Sequence, residues 1–406
     1  QLNQAWQQAT TGRPGPVVVV LYEDMLRDES PVDDLFSKTS SETQHHPAAP
    51  SSQAIEAVIT LIEQAQKPLV ICCDSSWDQT NAELIAELAQ RYQLPVATAF
   101  RRQDSIDNTH PNYVGEFGLT APGPLLDYLH DADLLLVVGP RLGDITTCGY
   151  QRLPVPNGIE GQKLVHVHPA AEETNAVYCA QLSIVSRSRE FLEAMLNHKP
   201  KTSDRTELIG YLHKGYLDFV NALRDPEADV RLDEIMAFLR QRLPSDSVIT
   251  NGAGNYTTWP QRHYQFRLAK TQLAPTNGSM GYGVPAAISA KLVRPGSIVI
   301  SFSGDGCFLM NGQEVATAVQ YRLPILFIVI NNNRYGTIRT HQEKHYPGRM
   351  VGTDLNNPDF AALGSAYGAN GFTVENTEAF ESVFEKASKS NHPSVIEIRD
   401  FSPTSD

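Results

Sequence analysis

The segment SFSGDGCFLMNGQEVATAVQYRLPILFIVINNN, residues 301–333, places polar residues directly after two apolar runs. Gly304-Asp305-Gly306 follows the first run, and three asparagines beginning at Asn331 follow the second. A carboxylate, an amide oxygen, a backbone carbonyl and water are hard oxygen ligands that suit Mg²⁺ better than a softer metal. Glycine permits a sharp turn and a close approach of the backbone, so that amide groups at a helix start can meet an anion. These residue types predict Mg²⁺ bridged to a phosphate or diphosphate.

Two parallel strands joined by a helix are needed to bring these side chains together. We expect strands at Ser297–Phe302 and Ile325–Ile330, and a helix over residues 311–322. Because a strand-helix-strand crossover makes the two strands parallel, their carboxyl ends lie at the same edge of the sheet. Asp305 and Asn332 are therefore expected to lie close together.

Helical and strand-like segments alternate through most of the chain. Amphipathic stretches alternate with short apolar runs such as PLVICCD and DLLLVVG over residues 53–195, and similar alternation recurs over residues 231–406. This pattern predicts an α/β fold with two doubly wound parallel-sheet domains. Residues 196–230 are charged and helical with little apolar periodicity, and we interpret them as a connector. Residues 28–52 are rich in Ser, Pro, Asp and His, which indicates a linker.

The first residues, 1–27, contain the end of a helix, a Gly/Pro turn and the apolar run Pro16–Leu21. A buried strand of mostly β-branched residues needs neighbouring strands on both sides. We therefore expect a buried strand at Pro16–Leu21 that is the remnant of a further domain.

Length, charge and cysteine content limit the possible functions. A chain of 406 residues is expected to form two or three domains. The net charge of -13, without a Lys/Arg-rich block, argues against a nucleic-acid partner. Five cysteines without metal-ligand spacing indicate reduced thiols, and the apolar runs are too short to span a membrane. We predict a cytoplasmic protein with neither a nucleic-acid nor a membrane partner.

The spacing of the two polar motifs resembles the signature of thiamine diphosphate enzymes. Twenty-four residues, 307–330, separate Gly306 from Asn331. Four further stretches resemble acetolactate synthases of the large catalytic subunit type, the last of them the end of their pyrimidine-binding domain: NGSMGYGVPAAISA (277–290), NGAGNYTTW (251–259), NNPDFAALGSAYGANGFTVEN (356–376) and GRPGPVVVVLYEDML (12–26). The resemblance covers most of the chain and involves several independent motifs.

This resemblance implies a site for thiamine diphosphate and Mg²⁺. It assigns Mg²⁺ to Asp305, Asn332 and the carbonyl of Arg334. It also implies that Met280 supports the cofactor, which is folded into a V over this side chain. The other implied cofactor-binding residues are Ala253, Gly254, Asn255, Gly278, Gly304, Gly306 and Cys307.

The implied activity is decarboxylation and carboligation of 2-oxo acids, with pyruvate as the expected donor, by a homodimer or homotetramer. In the family, proton removal needs a glutamate of the pyrimidine-binding domain, upstream of the segment with which this sequence begins. Glu23 is expected to be a solvated surface carboxylate instead, so we expect residues 1–406 to be inactive alone. The alternatives are a noncatalytic thiamine diphosphate-binding protein and a related lyase or decarboxylase acting on other substrates.

Two departures from the synthase pattern leave the substrates and a second cofactor open. Residues 139–144, GPRLGD, replace a GARFDDR-like stretch that lies near FAD in the synthases. Arg141 and Asp144 are kept, but FAD binding is doubtful. His341 replaces a tryptophan that shapes the acceptor pocket, and we weigh a pocket residue and an exposed loop histidine equally.

Other chemically suggestive residues are given structural interpretations. His45 and His46 lie in the linker without a carboxylate or thiol ligand at suitable spacing, and we expect them to be exposed. His166 and His168 share one face of a strand, but a structural role is favoured because no third metal ligand is in reach. Residues 281–286 satisfy the dinucleotide pattern G-x-G-x-x-A, yet no strand precedes them, which argues against a nicotinamide site.

Overall fold

The computed structural model describes residues 2–29, 49–153, 161–201, 203–223 and 228–400. These residues form two six-stranded sheets in which the paired strands are parallel. The prediction of two doubly wound α/β domains is confirmed. His45 and His46 lie outside the described residues, as does most of the expected linker. Within the described part of the chain, no helix combines the length and apolar character needed to cross a membrane.

The first sheet is formed by residues 68–185. Its strands are β1 Pro68–Cys72, β2 Val96–Ala99, β3 Tyr113–Phe117, β4 Leu134–Val138, β5 Lys163–His168 and β6 Leu182–Val185. The helices around it are α2 Ser52–Gln64, α3 Gln79–Tyr92, α4 Gly123–Asp131 and α5 Ser188–Leu196. The order β3-β2-β1-β4-β5-β6 reverses direction between β1 and β4, which leaves a crevice at their carboxyl ends.

The second sheet is formed by residues 248–399. Its strands are β7 Val248–Asn251, β8 Gln272–Leu273, β9 Val299–Gly304, β10 Ile325–Asn331, β11 Asn370–Val374 and β12 Ser394–Arg399. The helices are α7 Leu232–Arg242, α8 Thr258–His263, α9 Gly283–Val293, α10 Asp305–Asn311, α11 Val315–Gln320, α12 Gly336–His345, α13 Phe360–Ala366 and α14 Thr377–Ser388. The order is β11-β12-β10-β9-β7-β8, and Ile330 of β10 is in register with Gly304 of β9.

The connection between β9 and β10 differs from the single helix expected over residues 311–322. Helix α10 begins at once after β9, at Asp305, and a 3₁₀ turn at Gly312–Glu314 separates it from α11. Gly312 lies at this break, and glycine is a poor helix former. At the end of α10, Asn311 Nδ2 donates a hydrogen bond to the Gly281 carbonyl (2.9 Å). The early helix start places Asp305 at the sheet edge.

The N-terminal segment does not contain the predicted strand. Helix α1 spans Leu2–Thr10, and residues 14–22 have no regular secondary structure. Val18 is 86% exposed and Val20 is 67% exposed, so the expected burial of Pro16–Leu21 is also wrong. A strand forms only where a sheet edge offers hydrogen-bond partners, and no described strand pairs with this segment. Glu23 is 79% exposed and forms an ion pair with Arg27, as expected for a surface carboxylate.

The residues interpreted as a connector contain an amphipathic helix, so the expectation of little apolar periodicity is wrong. Helix α6 spans Thr206–Asn221 and buries four apolar side chains at helical spacing: Ile209, Leu212, Tyr216 and Val220. The Tyr216 ring packs edge-on against Tyr113 of the first sheet, with ring centroids 4.8 Å apart. One turn further along, the Phe219 carbonyl of the same helix accepts a hydrogen bond from Arg262 Nε of the second unit (3.0 Å). The helix therefore contacts both α/β units.

Residues 101–108, which follow β2, join the two α/β units directly. The backbone amide of Asn108 donates to the Phe266 carbonyl (2.8 Å), and the backbone amide of Phe266 donates to Asn108 Oδ1 (2.9 Å). The buried Asp104 carboxylate accepts from the amides of Thr271 (3.1 Å) and Gln272 (3.2 Å). Burial raises the pKa of Asp104, and these amides partly oppose that shift. The two units are thus held together by buried polar contacts.

Candidate functional site

A cavity of about 240 Å³ lies at the carboxyl edge of the second sheet. Its walls come from the segments that follow β7, β9 and β10 and from the loop before α9. All the site residues expected from the sequence line this one cavity: Ala253, Gly254, Asn255, Gly278, Met280, Gly304, Asp305, Gly306, Cys307, Asn332 and Arg334. The parallel arrangement of β9 and β10 brings them together, because it places their carboxyl ends at one edge.

Asp305 is a buried carboxylate that accepts hydrogen bonds from neutral donors in the part of the chain that the structure describes. It is 3% exposed. Its Oδ1 atom accepts from the Gly306 amide (2.8 Å), and its Oδ2 atom accepts from Asn357 Nδ2 (2.7 Å) and the Arg334 amide (3.3 Å). Burial raises the pKa of Asp305, and these donors partly oppose the shift. Among the described residues, the carboxylate is therefore held in position by backbone amides and an asparagine side chain rather than by a cationic donor.

The three asparagines after β10 have different positions. Asn331 is buried and donates from Nδ2 to Glu397 Oε1 (2.7 Å), while its Oδ1 atom accepts from Asn357 Nδ2 (2.9 Å). Asn332 lines the cavity. Asn333 has a φ of +57°, in the left-handed region that asparagine tolerates better than most residues. The first and third asparagines thus shape the backbone that presents the second.

Gly304 and Gly306 are needed for space rather than for a sharp turn. Gly304 has a φ of −74°, and Gly306 lies within helix α10 without a positive φ, so the expected turn role is wrong. A Cβ at Gly304 would lie 2.8 Å from the Tyr256 ring, and a Cβ at Gly306 would overlap the ring of Tyr335. Larger residues would displace both rings from the cavity wall.

Cys307 connects two walls of the cavity through its sulfur. Tyr256 Oη donates to Cys307 Sγ (3.1 Å), and the Gly281 amide donates to the same atom (3.1 Å). The Gly252 amide in turn donates to Tyr256 Oη (2.9 Å). Burial raises the pKa of Tyr256 well above its ordinary value, so the phenol stays protonated and donates to the sulfur.

Helix α12 forms the outer wall through contacts with Asn255. Thr337 Oγ1 donates to Asn255 Oδ1 (2.7 Å), and Asn255 Nδ2 donates to Thr340 Oγ1 (3.4 Å). The lining residues that sequence reasoning missed are Tyr256, Trp259, Ile330, Tyr335, Gly336, Thr337 and Ile338. Most of these residues are sequence neighbours of the predicted ones. A helix predicted to begin shortly after Arg334 would have placed the first turn of α12, including Gly336, Thr337 and Ile338, beside the cavity.

Met280 is partly buried and packs against the core of the second α/β unit. It lies in the loop between β8 and α9, together with Gly278 and Gly281, whose φ values are +75° and +79°. This loop is not a strand, which agrees with the argument against a dinucleotide site at residues 281–286.

Arg141 and Asp144 lie in a different cavity. This second cavity, of about 480 Å³, occupies the carboxyl edge of the first sheet, where the strand order reverses. Its other charged lining residues include Arg13, Arg102 and Asp74. The structure therefore separates these residues from Asp305 and its neighbours.

Three of the histidines singled out from the sequence, His166, His168 and His341, do not line the Asp305 cavity. His166 and His168 are buried, and their rings contact the backbone at the Pro140 carbonyl (3.0 Å) and at Ala170 (3.1 Å). Burial lowers the pKa of both. His341 is exposed and stacks on the ring of His345, with centroids 6.1 Å apart. Across the described residues, no three His, Cys, Asp or Glu side chains converge as a metal cluster.

Comparisons with known proteins agree with this arrangement. Residues 252–398 match the C-terminal TPP binding domain of thiamine pyrophosphate enzymes, and residues 55–195 match their central domain. Similar curated proteins include the mitochondrial acetolactate synthase catalytic subunit of Saccharomyces cerevisiae, 26% identical over 98% of this chain and 60% of that protein. The acetolactate synthase large subunits of Parasynechococcus marenigrum and Corynebacterium glutamicum are 27% and 28% identical, each over 97% of this chain and 64% of the relative. The chain thus spans less than two thirds of the length of these relatives.

Proposed function

Because this chain belongs to the thiamine pyrophosphate enzymes, with their central and C-terminal domains, we propose that the Asp305 cavity binds thiamine diphosphate together with Mg²⁺. The observation that carries the proposal is the convergence in one cavity of all the residues that the family signature singles out. The proposed activity is decarboxylation and carboligation of 2-oxo acids, with pyruvate as donor.

The residues around Asp305 fit Mg²⁺. The proposed ligands are the Asp305 carboxylate, the Asn332 amide oxygen and the Arg334 carbonyl, an all-oxygen set of the kind that Mg²⁺ prefers. A buried carboxylate held by neutral donors gains from a cation, because isolated charge is costly in a low-dielectric site. A site of this composition needs only one acidic side chain.

The residues proposed to hold the cofactor itself line the same cavity as Asp305. Gly306 and Cys307 would approach the diphosphate, and Gly254 and Asn255 face them from the loop after β7. Gly254 has a φ of +143°, which favours glycine at this approach. Met280 would support the cofactor from the loop before α9.

When bound, thiamine diphosphate supplies the carbon nucleophile and the electron sink that 2-oxo acid decarboxylation requires. The protein's part is to orient that cofactor and to exclude water. Met280, Trp259 and Ile338 provide apolar lining for this purpose. Tyr256 fixes the Cys307 sulfur by donating its phenolic proton to it, which keeps two cavity walls in register.

Activity and assembly of the complete protein are further proposals. Proton transfer in the family uses a glutamate of the pyrimidine-binding domain. Glu23 is exposed and ion-paired with Arg27, so we do not propose it for this role. We therefore expect residues 1–406 alone to bind the cofactor without turning over pyruvate. A homodimer or homotetramer and a cytoplasmic location stay predictions. FAD has no part in the proposal, because residues 139–144 depart from the synthase pattern.

A calorimetric titration tests the proposed site. Thiamine diphosphate titrated into the protein with Mg²⁺ should bind, and excess chelator should abolish the binding heat. Asp305→Ala should weaken binding at least about hundredfold, since even residues that only orient metal ligands contribute ten- to hundredfold. Asp144→Ala, a carboxylate removed from the second cavity, provides the matched control and should leave the affinity unchanged.

Chelator-independent binding, or equal loss in both variants, would contradict the proposed metal site. Binding without any turnover by a longer chain that includes the upstream domain would favour the noncatalytic binding protein. Turnover of a substrate other than pyruvate by that longer chain would favour a related lyase or decarboxylase.

A further inference from the structure

The loop of residues 275–281 carries two cavity-lining residues, Gly278 and Met280. Residues 276–279 are exposed, and the hydrogen bonds within the loop are short-range. The Gly278 amide donates to the Pro275 carbonyl (3.1 Å). Contacts of this kind define a turn but do not hold it against the rest of the molecule, so the position of the exposed residues 276–279 depends on the two ends of the loop.

One end of the loop is anchored within the second α/β unit. The Gly281 amide donates to Cys307 Sγ (3.1 Å), and the Gly281 carbonyl accepts from Asn311 Nδ2 (2.9 Å). Both partners belong to helix α10, which begins with Asp305. This end therefore moves with the proposed metal site.

The other end is anchored by a residue of the first α/β unit. Arg101 follows β2 and is 2% exposed, and its Nη1 atom donates to the Pro275 carbonyl (2.7 Å). The hydrogen bond joins residues 174 positions apart. Arg101 therefore ties the loop to the first unit at the Pro275 carbonyl. Because its guanidinium is charged, this hydrogen bond is stronger than one from a neutral donor.

Arg101 is held in a costly arrangement. Its φ is +56°, its amide donates to the buried Glu116 carboxylate, and its guanidinium lies over the Phe100 ring at 4.8 Å. Its buried Nε atom has no hydrogen-bond acceptor among the described residues. An apolar residue would fill such a space without leaving a buried donor unsatisfied. A role in packing alone does not account for an arginine here, whereas the contact with the Pro275 carbonyl does.

We propose that Arg101 is a positioning residue for the cofactor cavity: it fixes the loop that presents Gly278 and Met280, so that the first α/β unit sets the shape of a site contained in the second. The identity of the ligand in that cavity rests on the proposed function. The anchoring of the loop does not, because it is a property of the protein without any ligand.

Hydrogen exchange followed by mass spectrometry tests the anchor in the ligand-free protein. In Arg101→Met, the amides of residues 276–281 should exchange at least about tenfold faster, since a hydrogen bond from a charged group contributes enough to shift a local opening by that factor. Arg101→Lys keeps a buried cationic donor and should restore part of the protection. In the same variants, the affinity for thiamine diphosphate with Mg²⁺ should fall in the same order as the protection.

Arg262→Met provides the matched control. Arg262 also donates from its guanidinium to a carbonyl across the contact between α6 and the second unit, but this carbonyl belongs to Phe219 (3.0 Å) and not to residues 275–281. This variant should leave the exchange of residues 276–281 unchanged. If loop exchange depended only on the general contact between the two units, it would become faster in both Arg101→Met and Arg262→Met. That result would overturn the proposal.

Two further outcomes are decisive. Unchanged loop exchange in a folded Arg101→Met protein would overturn the anchoring role. If Arg101→Met does not fold, Arg101→Lys decides: faster loop exchange with unchanged exchange in β9 and β10 supports the anchor, and unchanged loop exchange overturns it. A wild-type protein that fails to bind thiamine diphosphate would refute the proposed function, while the exchange comparison would still decide the role of Arg101.

Discussion

Two buried carboxylates lie at the carboxyl edges of the two sheets, in different surroundings. Glu116, next to last in β3, is 6% exposed, and Asp305, directly after β9, is 3% exposed. Burial raises the pKa of both, to about 7 for Glu116. The charges of Arg101 and Arg152 oppose the shift of Glu116, whereas the groups that oppose the shift of Asp305 among the described residues are neutral hydrogen-bond donors.

The difference concerns how each negative charge is compensated. The arginines beside Glu116 belong to the protein, so its charge is partly balanced within the fold. The Asp305 carboxylate lines a cavity, and its hydrogen-bond donors within the described segments are neutral, so a cation from solution can complete its surroundings. Burial alone therefore does not distinguish the two carboxylates; the charge of the neighbouring groups and the access from solution do.

The largest expected effect comes from removing each charge without changing the shape of the side chain. Asp305→Asn should weaken Mg²⁺-dependent binding of thiamine diphosphate at least about hundredfold, because it removes a proposed metal ligand. Glu116→Gln should leave the Mg²⁺ dependence intact, since Glu116 does not line the cavity. Titrations at several Mg²⁺ concentrations measure both. A similar loss of Mg²⁺ dependence in Glu116→Gln would remove the distinction between the two carboxylates.

A smaller effect is expected in the pH dependence of stability. The pKa of Glu116 is raised from 4.5 to about 7, so its stabilising contribution is present below pH 4.5 and is lost as the pH rises through 7. Wild-type protein should therefore lose about 2 kcal/mol of unfolding free energy relative to Glu116→Gln between pH 5 and pH 8. Urea unfolding at the two pH values measures this difference. An equal pH dependence in both proteins would show that Glu116 keeps its ordinary pKa.

The smallest expected effect is a difference in unfolding free energy between alanine substitutions at one glycine of each cavity. A Cβ at Gly306 would overlap the Tyr335 ring, so Gly306→Ala should reduce the unfolding free energy by about 1 to 2 kcal/mol through overpacking. Gly143 lines the second cavity, and a Cβ there would lie 3.7 Å from Arg141 Nε, an ordinary contact. Gly143→Ala should therefore stay within about 0.5 kcal/mol of wild type. Equal unfolding curves for the two variants would argue against tight packing at Gly306.

The fold and the membership of the main cavity could be predicted because both depend on local order along the chain. Alternating helices and apolar strands predict parallel sheets, and residues that directly follow β9 and β10 must meet at one edge. Asp305 and Asn332 are of this kind. Their placement requires no knowledge of distant contacts.

Features that depend on distant contacts could not be predicted in the same way. Asn357 donates to Asp305 from 52 positions away, and nothing in its local sequence indicates that contact. The burial of the apolar face of α6 depends on both α/β units, and the exposure of Pro16–Leu21 depends on the lack of a pairing edge among the described strands. The contact that excludes a larger residue at Gly306 could not be predicted either, because the ring of Tyr335 packs against this glycine only in the folded chain.

The walls of the Asp305 cavity come from segments far apart in the chain. Thr337 and Asn255, whose hydrogen bond joins two of these segments in the cavity wall, are 82 positions apart. A chain emerging from the ribosome therefore has no binding site until the last wall has been synthesised and packed. A ligand that occupies the finished cavity stabilises only the completely folded unit, by mass action. Cellular supply of that ligand would then influence how much of the protein escapes proteolysis as well as how much of it is active.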